Sequence, residues 1–161
     1  MTTIPTPPRV GELWPEQGGT YAGIMRGDDG TLYHLIVSGE EGDFSNLAWG
    51  GYGKRQTGAS STWDGKANTQ ALNAAAPEHP AADKVATTEV DGRGDWYLPA
   101  QRELALCWAT VPHLFQKDWY WSSTQYSAGN AWFQDFGGGD QLIGGKGNEC
   151  RARAVRRLVI E

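Results

Sequence analysis

Two cysteines, three histidines, a pair of aspartates and a glycine-rich run are the residues of this chain whose types could carry chemistry. Cys107 and Cys150 lack the CxxC spacing of a zinc site, and two thiols do not make a disulfide scaffold. Cys107 sits in an apolar helical stretch and is expected to be a small buried hydrophobe, whereas Cys150 stands in a loop beside the last strand. A bridge between the two stays open. His34, His79 and His113 form no HxxxH pair, neither cysteine has a neighbouring histidine, and no Gly-x-Ser-x-Gly elbow occurs. Structural or surface roles are therefore expected for all three histidines. Asp28 and Asp29 lack the alternating acidic spacing of a calcium loop and suit a turn. The run from Gly137 to Gly147 lacks the Gly-Lys-Ser/Thr ending of a phosphate loop. These patterns point to no catalytic residue, no metal and no cofactor.

What remains is the frame around that glycine-rich run. Residues 120–136 read YWSSTQYSAGNAWFQDF, and RARAVRRL follows from Arg151. An aromatic, β-prone block and a closing strand thus flank a stretch with little propensity of its own, the layout of a binding surface displayed on a scaffold. Trp121 and Trp132 are large enough to anchor the frame. Arg151, Arg153, Arg156 and Arg157 alternate as on a half-exposed strand, which predicts structural ion pairs or surface charge.

The supporting elements follow from pattern and punctuation. Residues 1–12, with Pro5, Pro7 and Pro8, form an extended arm, and residues 13–161 form one domain. Two apolar runs in residues 21–38 meet at Gly27-Asp28-Asp29-Gly30 and predict a hairpin. Residues 39–63 predict an irregular loop pinned by Trp49, Tyr52 and Trp63. Helices are expected from Asp64 or Asn68 to Ala76, stopped by Pro77, then over Pro80–Thr87, and from Pro99 to Val111 with Leu104, Cys107 and Trp108 on one face. Strands are expected at 119–124, 131–136 and 152–160. The class is α+β: an early hairpin, two or three short helices and late antiparallel strands.

A content of 8 Trp and 22 Gly suits a fold rich in turns and ordered loops. A net charge of −5 argues against a nucleic-acid partner. No apolar stretch approaches the roughly 20 residues of a membrane helix. The opening MTTIPTPPRVGELWP has no apolar core of a secretory signal, so none is expected there.

WYLPAQREL, YWSST, AWFQDF and RAVRRL, in that order, resemble the Lcl C-terminal-like domain family, a domain of unknown function in bacterial surface proteins and phage tail proteins. The motifs span about residues 90–158, and the DGKANT block and the YAGI hairpin fit its phage-type members upstream. The family is similar to C-type lectin folds, which set a variable ligand-binding region on a small core. The segment 120–158 also resembles the variable regions of diversity-generating retroelements, which mutate adenines near the 3′ end of a gene. Tryptophan, alanine and valine codons hold few adenines, so Trp121, Trp132, Ala152, Ala154 and Val155 are expected as fixed scaffold. The aperiodic mixture of Tyr126, Asn130, Phe133, Asp135, Gly137, Gly138, Asp140, Leu142, Ile143, Asn148, Glu149 and Cys150 is expected to be the ligand-binding face.

The resemblance implies a non-enzymatic receptor-recognition protein on a phage tail or a bacterial surface. Its partner would be a host cell-surface protein or glycan, without nucleic acid or membrane insertion, and a homo-oligomer is possible. The Glu-Pro-Asn and Trp-Asn-Asp triplets of calcium-dependent lectins are absent, so metal-dependent sugar binding is not expected. A tail-assembly component of the same fold is the alternative. A formylglycine-generating type of enzyme is the least favoured reading, because neither cysteine has a neighbouring histidine.

Overall fold

The computed structural model describes residues 5–76 and 78–161. Pro77, the expected helix stop, lies outside the described residues, as do the first four residues of the arm. The chain opens with an antiparallel meander of β1 (Leu13–Trp14), β2 (Gly19–Arg26) and β3 (Leu32–Ser38). The predicted turn joins the last two, and Asp29 closes it by accepting from the Thr31 amide at 2.9 Å.

β4 (Asp43–Ala48) then forms where composition predicts only an irregular loop. Its sequence, DFSNLA, shows no clean alternation because a bulge between Phe44 and Leu47 shifts its register, with Asn46 at φ 58°. Trp49 does pin the following loop, buried and donating from Nε1 to the Ser122 carbonyl at 2.8 Å, but Tyr52 is 74% exposed and only rests along Gly129.

The three expected helices are present. α1 (Gly65–Ala74) is capped by Asp64, whose side chain accepts from the Ala67 amide at 3.0 Å. α2 (Pro80–Ala86) carries proline at its first position, and α3 (Gln101–Thr110) begins two residues after Pro99, so that proline stands ahead of the cap. The second half of the chain is β5 (Trp119–Gln125), β6 (Asn130–Asp135), β7 (Gln141–Gly145), β8 (Glu149–Arg153) and β9 (Val155–Val159).

The glycine-rich run is not a free loop: β7 lies inside it and pairs with β6 from Asn130↔Gly145 to Gln134↔Gln141. The glycines that hide the strand from propensity have steric reasons. Gly139 turns with φ 90° directly over the Trp108 ring, and a Cβ on Gly144 would lie 2.8 Å from the Phe133 ring. The final strand is also two strands. β8 belongs to a five-stranded sheet of order β4-β8-β5-β6-β7, while β9 joins β3 in a four-stranded sheet of order β1-β2-β3-β9. The chain changes sheets at Ala154, whose amide donates to Gly42 and whose carbonyl accepts from Ser38.

That switch separates the four arginines. Arg151 and Arg153 share Asp43 at 3.0 and 3.2 Å, Arg156 pairs with Asp95 at 2.9 Å, and Arg157 pairs with Asp64 at 3.1 Å. They form structural ion pairs, one of the two predicted roles.

The core has two main clusters. Trp49, Trp96, Leu98, Trp121 and Phe133 pack with α1, α2 and the inner residues of β8. Tyr33, Leu35, Leu104, Cys107, Tyr120 and Phe136 pack between the four-stranded sheet and α3. The carboxylate of Glu103, fully buried on α3, accepts from Tyr33 and Tyr97 at 2.7 and 2.6 Å and from the Gly65 and Ala100 amides, both at 2.9 Å. A buried carboxylate with four donors ties α1, α3 and β3 into one body, which makes the platform for β5–β8 rigid.

Candidate ligand-binding face

Strand alternation determines what the β6–β7 hairpin presents. Residues directly opposite in an antiparallel pair share a face. Phe133 pairs with Trp121 on one side and Leu142 on the other, while Trp132 pairs with Ile143 on the opposite face. The sequence expectation has the neighbours Trp132 and Phe133 in each other's places. Phe133, expected on the binding face, is 5% exposed and packs edge-on to Trp121 in the core. Trp132, expected as an anchor, is half-buried and meets the exposed ring of Tyr126 edge-on, with centroids 5.6 Å apart. Trp121 is fully buried, as a scaffold residue should be. Sequence alone offers two adjacent aromatics and no signal for which of them faces inward.

β7 is the edge strand of its sheet, and Leu142 and Ile143 are 47% and 41% exposed on its two faces. The outer strand of the hairpin therefore presents apolar side chains on both of its faces, while the rest stays packed on the body: Phe136 is buried, Gly139 lies over Trp108, and Gln141 donates from Nε2 to the Gln101 carbonyl at 2.7 Å. Ile143, Trp132 and Tyr126 run along one side, and Tyr52 lies against Gly129 at the end of that strip. The tip is polar and tight. Asp135 accepts from the Gly137 amide at 2.8 Å, and Gly137, Gly138 and Asp140 are exposed there. Asp135 thus shapes the turn, and Asn130 is half-buried at the other end of β6.

On the opposite side, a groove opens at the base of the hairpin. One lobe of about 390 Å³ is floored by Trp119, Trp121, Phe133 and Gly144 and rimmed by Asn148 and Glu149. A second lobe of about 300 Å³ shares Trp119, Glu149 and Cys150 with it and adds Ser45, Asn46 and Asp118. Larger, more open space near Leu13, Glu41 and Glu89 lies away from the hairpin and holds none of the expected residues. The groove gathers Phe133, Asn148, Glu149 and Cys150 from the expected set, while Tyr126, Asn130 and Ile143 stay on the other face of the hairpin.

Three residues were not expected to matter. Trp119 is 49% exposed and stacks on Phe133, with centroids 4.8 Å apart. The Trp-x-Trp spacing of residues 119 and 121 puts both on one face of β5, and the outer position is the exposed one. Asn46 enters through the bulge of β4, which no sequence signal marks. Lys146, inside the glycine-rich run, is fully buried: its ammonium donates to the Lys54 carbonyl at 3.0 Å and to Gln125 Oε1 at 3.1 Å, 4.7 Å above the Trp49 ring. Burial lowers its pKa to about 8. The end of the glycine-rich run is thus anchored from inside.

The thiols lie in different clusters, and both are free. Burial pushes Cys107 well above the usual thiol range and pushes Cys150 up to about 11, the latter helped by the Asp118 carboxylate. Cys107 is 0% exposed, whereas Cys150, at 9%, touches both lobes of the groove. His34 bonds the Tyr21 hydroxyl through Nδ1 at 2.7 Å, buried His79 meets the Leu72 carbonyl at 3.1 Å, and His113 is exposed. Among the described residues no cluster of three or more His, Cys, Asp or Glu side chains is placed to hold a metal ion, and no helix is long and apolar enough to cross a membrane.

Comparison with curated proteins finds no match. The family described as the Lcl C-terminal domain matches residues 45–156, a span that runs from β4 into β9 and holds the hairpin, both lobes of the groove and the core beneath them. This chain belongs to the Lcl C-terminal domain family.

Proposed function

We propose that this domain is a non-enzymatic ligand-binding module that recognises its target through the β6–β7 hairpin and the groove at its base. The observation that carries the reading is the exposure of consecutive Leu142 and Ile143 on opposite faces of an edge strand. An edge strand with apolar residues on both sides is a surface prepared for contact, since unpartnered chains usually blunt such edges with charge. Membership of the family supports a surface-associated or recognition role. Two packed sheets with ordered loops suit a C-type-lectin-like scaffold. Exposed Tyr126, Asp140, Leu142 and Ile143 around a fully buried Trp121 suit a diversified face on a fixed core. The raised pKa of both thiols, in separate clusters, supports a role without nucleophilic chemistry.

The target is a host cell-surface protein or glycan, and the carrier a phage tail or a bacterial surface. Display in several copies would raise a weak single-site affinity by avidity. The test is adsorption of the multimerised domain to a panel of bacterial cells, comparing wild type with Leu142→Ser/Ile143→Ser. Recognition through the hairpin requires that the variant fold normally and lose adsorption. Unchanged adsorption by the folded variant contradicts the assignment of this face. The exposed edge of β7 also favours a second reading, in which it docks on another tail protein. A phage carrying the same variant would then fail to assemble, rather than assemble and fail to adsorb.

A further inference from the structure

We propose that the two-lobed groove takes an arginine side chain of a partner protein, its guanidinium laid on Trp119 and its donors shared by Glu149 and Asp118. The proposal rests on the binding role given to this face and narrows it to a ligand class. Trp119 is the wall common to both lobes; Phe133 stacks on it at 25°, and about half of its surface stays open. An exposed indole face backed by a second ring is a platform for a planar cation.

Charge selects the occupant. β5 and β8 run parallel with Tyr120 beside Arg151, and at their starts Asp118, just ahead of β5, and Glu149, the first residue of β8, line one lobe together with Trp119. Both are exposed, and neither forms an ion pair with any described residue. Arg151, the cation nearest to them in the lining, is already held by Asp43 at 3.0 Å. Lys117 is exposed next in sequence but does not line the groove. A neutral sugar could stack on Trp119 but would leave two carboxylates without a counter-charge, and an anionic glycan would be repelled by them. A lysine ammonium could meet the carboxylates but cannot stack as a plane. Guanidinium does both, because its flat fork bonds carboxylates while its face covers an aromatic ring. The groove's volume, with Ser45 and Asn46 as polar walls, accommodates the side chain with flanking backbone.

The test uses the whole domain, isotope-labelled, and three capped tripeptides, acetyl-Gly-Xaa-Gly-amide with arginine, citrulline or lysine at the centre. Titration followed by nuclear magnetic resonance should shift the Trp119 indole and the Glu149 and Cys150 amides saturably with the arginine peptide. Citrulline, uncharged and nearly isosteric, should bind at least tenfold more weakly, and lysine at least threefold. Glu149→Gln and Asp118→Asn should each weaken the arginine peptide severalfold, and Trp119→Ala should remove the response while the domain stays folded. Equal binding of arginine and citrulline, or shifts that map away from Trp119, would overturn the proposal. Cell adsorption that depends on the hairpin but not on Glu149 or Asp118 would overturn it too and leave the binding role intact. Adsorption indifferent to hairpin and groove alike would remove that role as well.

Discussion

Phe133 and Trp119 stack across the β5–β6 pair with ring centroids 4.8 Å apart, yet one is buried and the other half exposed. The same contact is thus core on one side and surface on the other. Phe133→Ala should cost about 3–5 kcal/mol, through lost burial and a cavity against Trp121. Trp119→Ala should cost well under half of that, because solvent already reaches much of its ring. Urea denaturation of the two variants checks the ranking, and equal losses would place Trp119 in the core.

Lys146 ties the glycine-rich run to Gln125 and Lys54 from a fully buried position. Its folded pKa, about 8, lies below the 10.5 of a free lysine because burial penalises the charged form. Between those values the unfolded chain binds more protons than the folded one, so this residue makes stability rise with pH there. Below pH 8 both states are charged and the penalty is constant. The stability of wild type relative to Lys146→Met should therefore increase from pH 8 to pH 10.5. A difference that stays flat over that window would show that the ammonium is not desolvated.

Glu103 collects two tyrosine hydroxyls and two backbone amides. Glu103→Ala should cost on the order of 3–5 kcal/mol, since it leaves two buried tyrosine hydroxyls and two backbone amides without their acceptor. Tyr97→Phe should cost about 1–2 kcal/mol, and combined with Glu103→Ala should add almost nothing. Full additivity in that double-mutant cycle would mean the two groups act independently.

Cys107 should resist a thiol reagent until the domain unfolds, while Cys150 should react slowly in the native state and faster as pH approaches about 11. Mass spectrometry of the modified protein locates the label. Native labelling of Cys107 ahead of Cys150 would contradict the placement of both.

Much of the frame was legible in the sequence, because its signals are local. The Gly27–Gly30 turn, the Asp64 cap and the proline that opens α2 each act through a few neighbouring residues, and the structure has all three. What was not legible depends on partners far along the chain. β7 forms despite its glycines because β6 pairs with it and the Phe133 ring fills the space over Gly144. Ala154 ends β8 because Gly42 and Ser38 take its backbone groups. Trp132 and Phe133 exchange their expected places because the register to Trp121 decides which of two adjacent aromatics faces inward. For the candidate face, Tyr126, Leu142 and Ile143 are at the surface as expected, whereas Phe133 is buried, and nothing local marks the division into two sides.

If the hairpin is a display surface, scaffold and binding face are energetically separable, and thermal unfolding of one multiple variant decides this. Tyr126, Asn130, Asp140, Leu142 and Ile143, all at least partly exposed, are replaced together by serine. Changes of this kind usually lie within about ±0.5 kcal/mol each, so the variant should still unfold cooperatively, with its melting temperature lowered by only a few degrees. Trp121→Ala alone, emptying a fully buried site, should cost on the order of 3–5 kcal/mol. Collapse of the five-fold variant beside a well-folded Trp121→Ala would mean that the hairpin is core, and would contradict its assignment as a display surface.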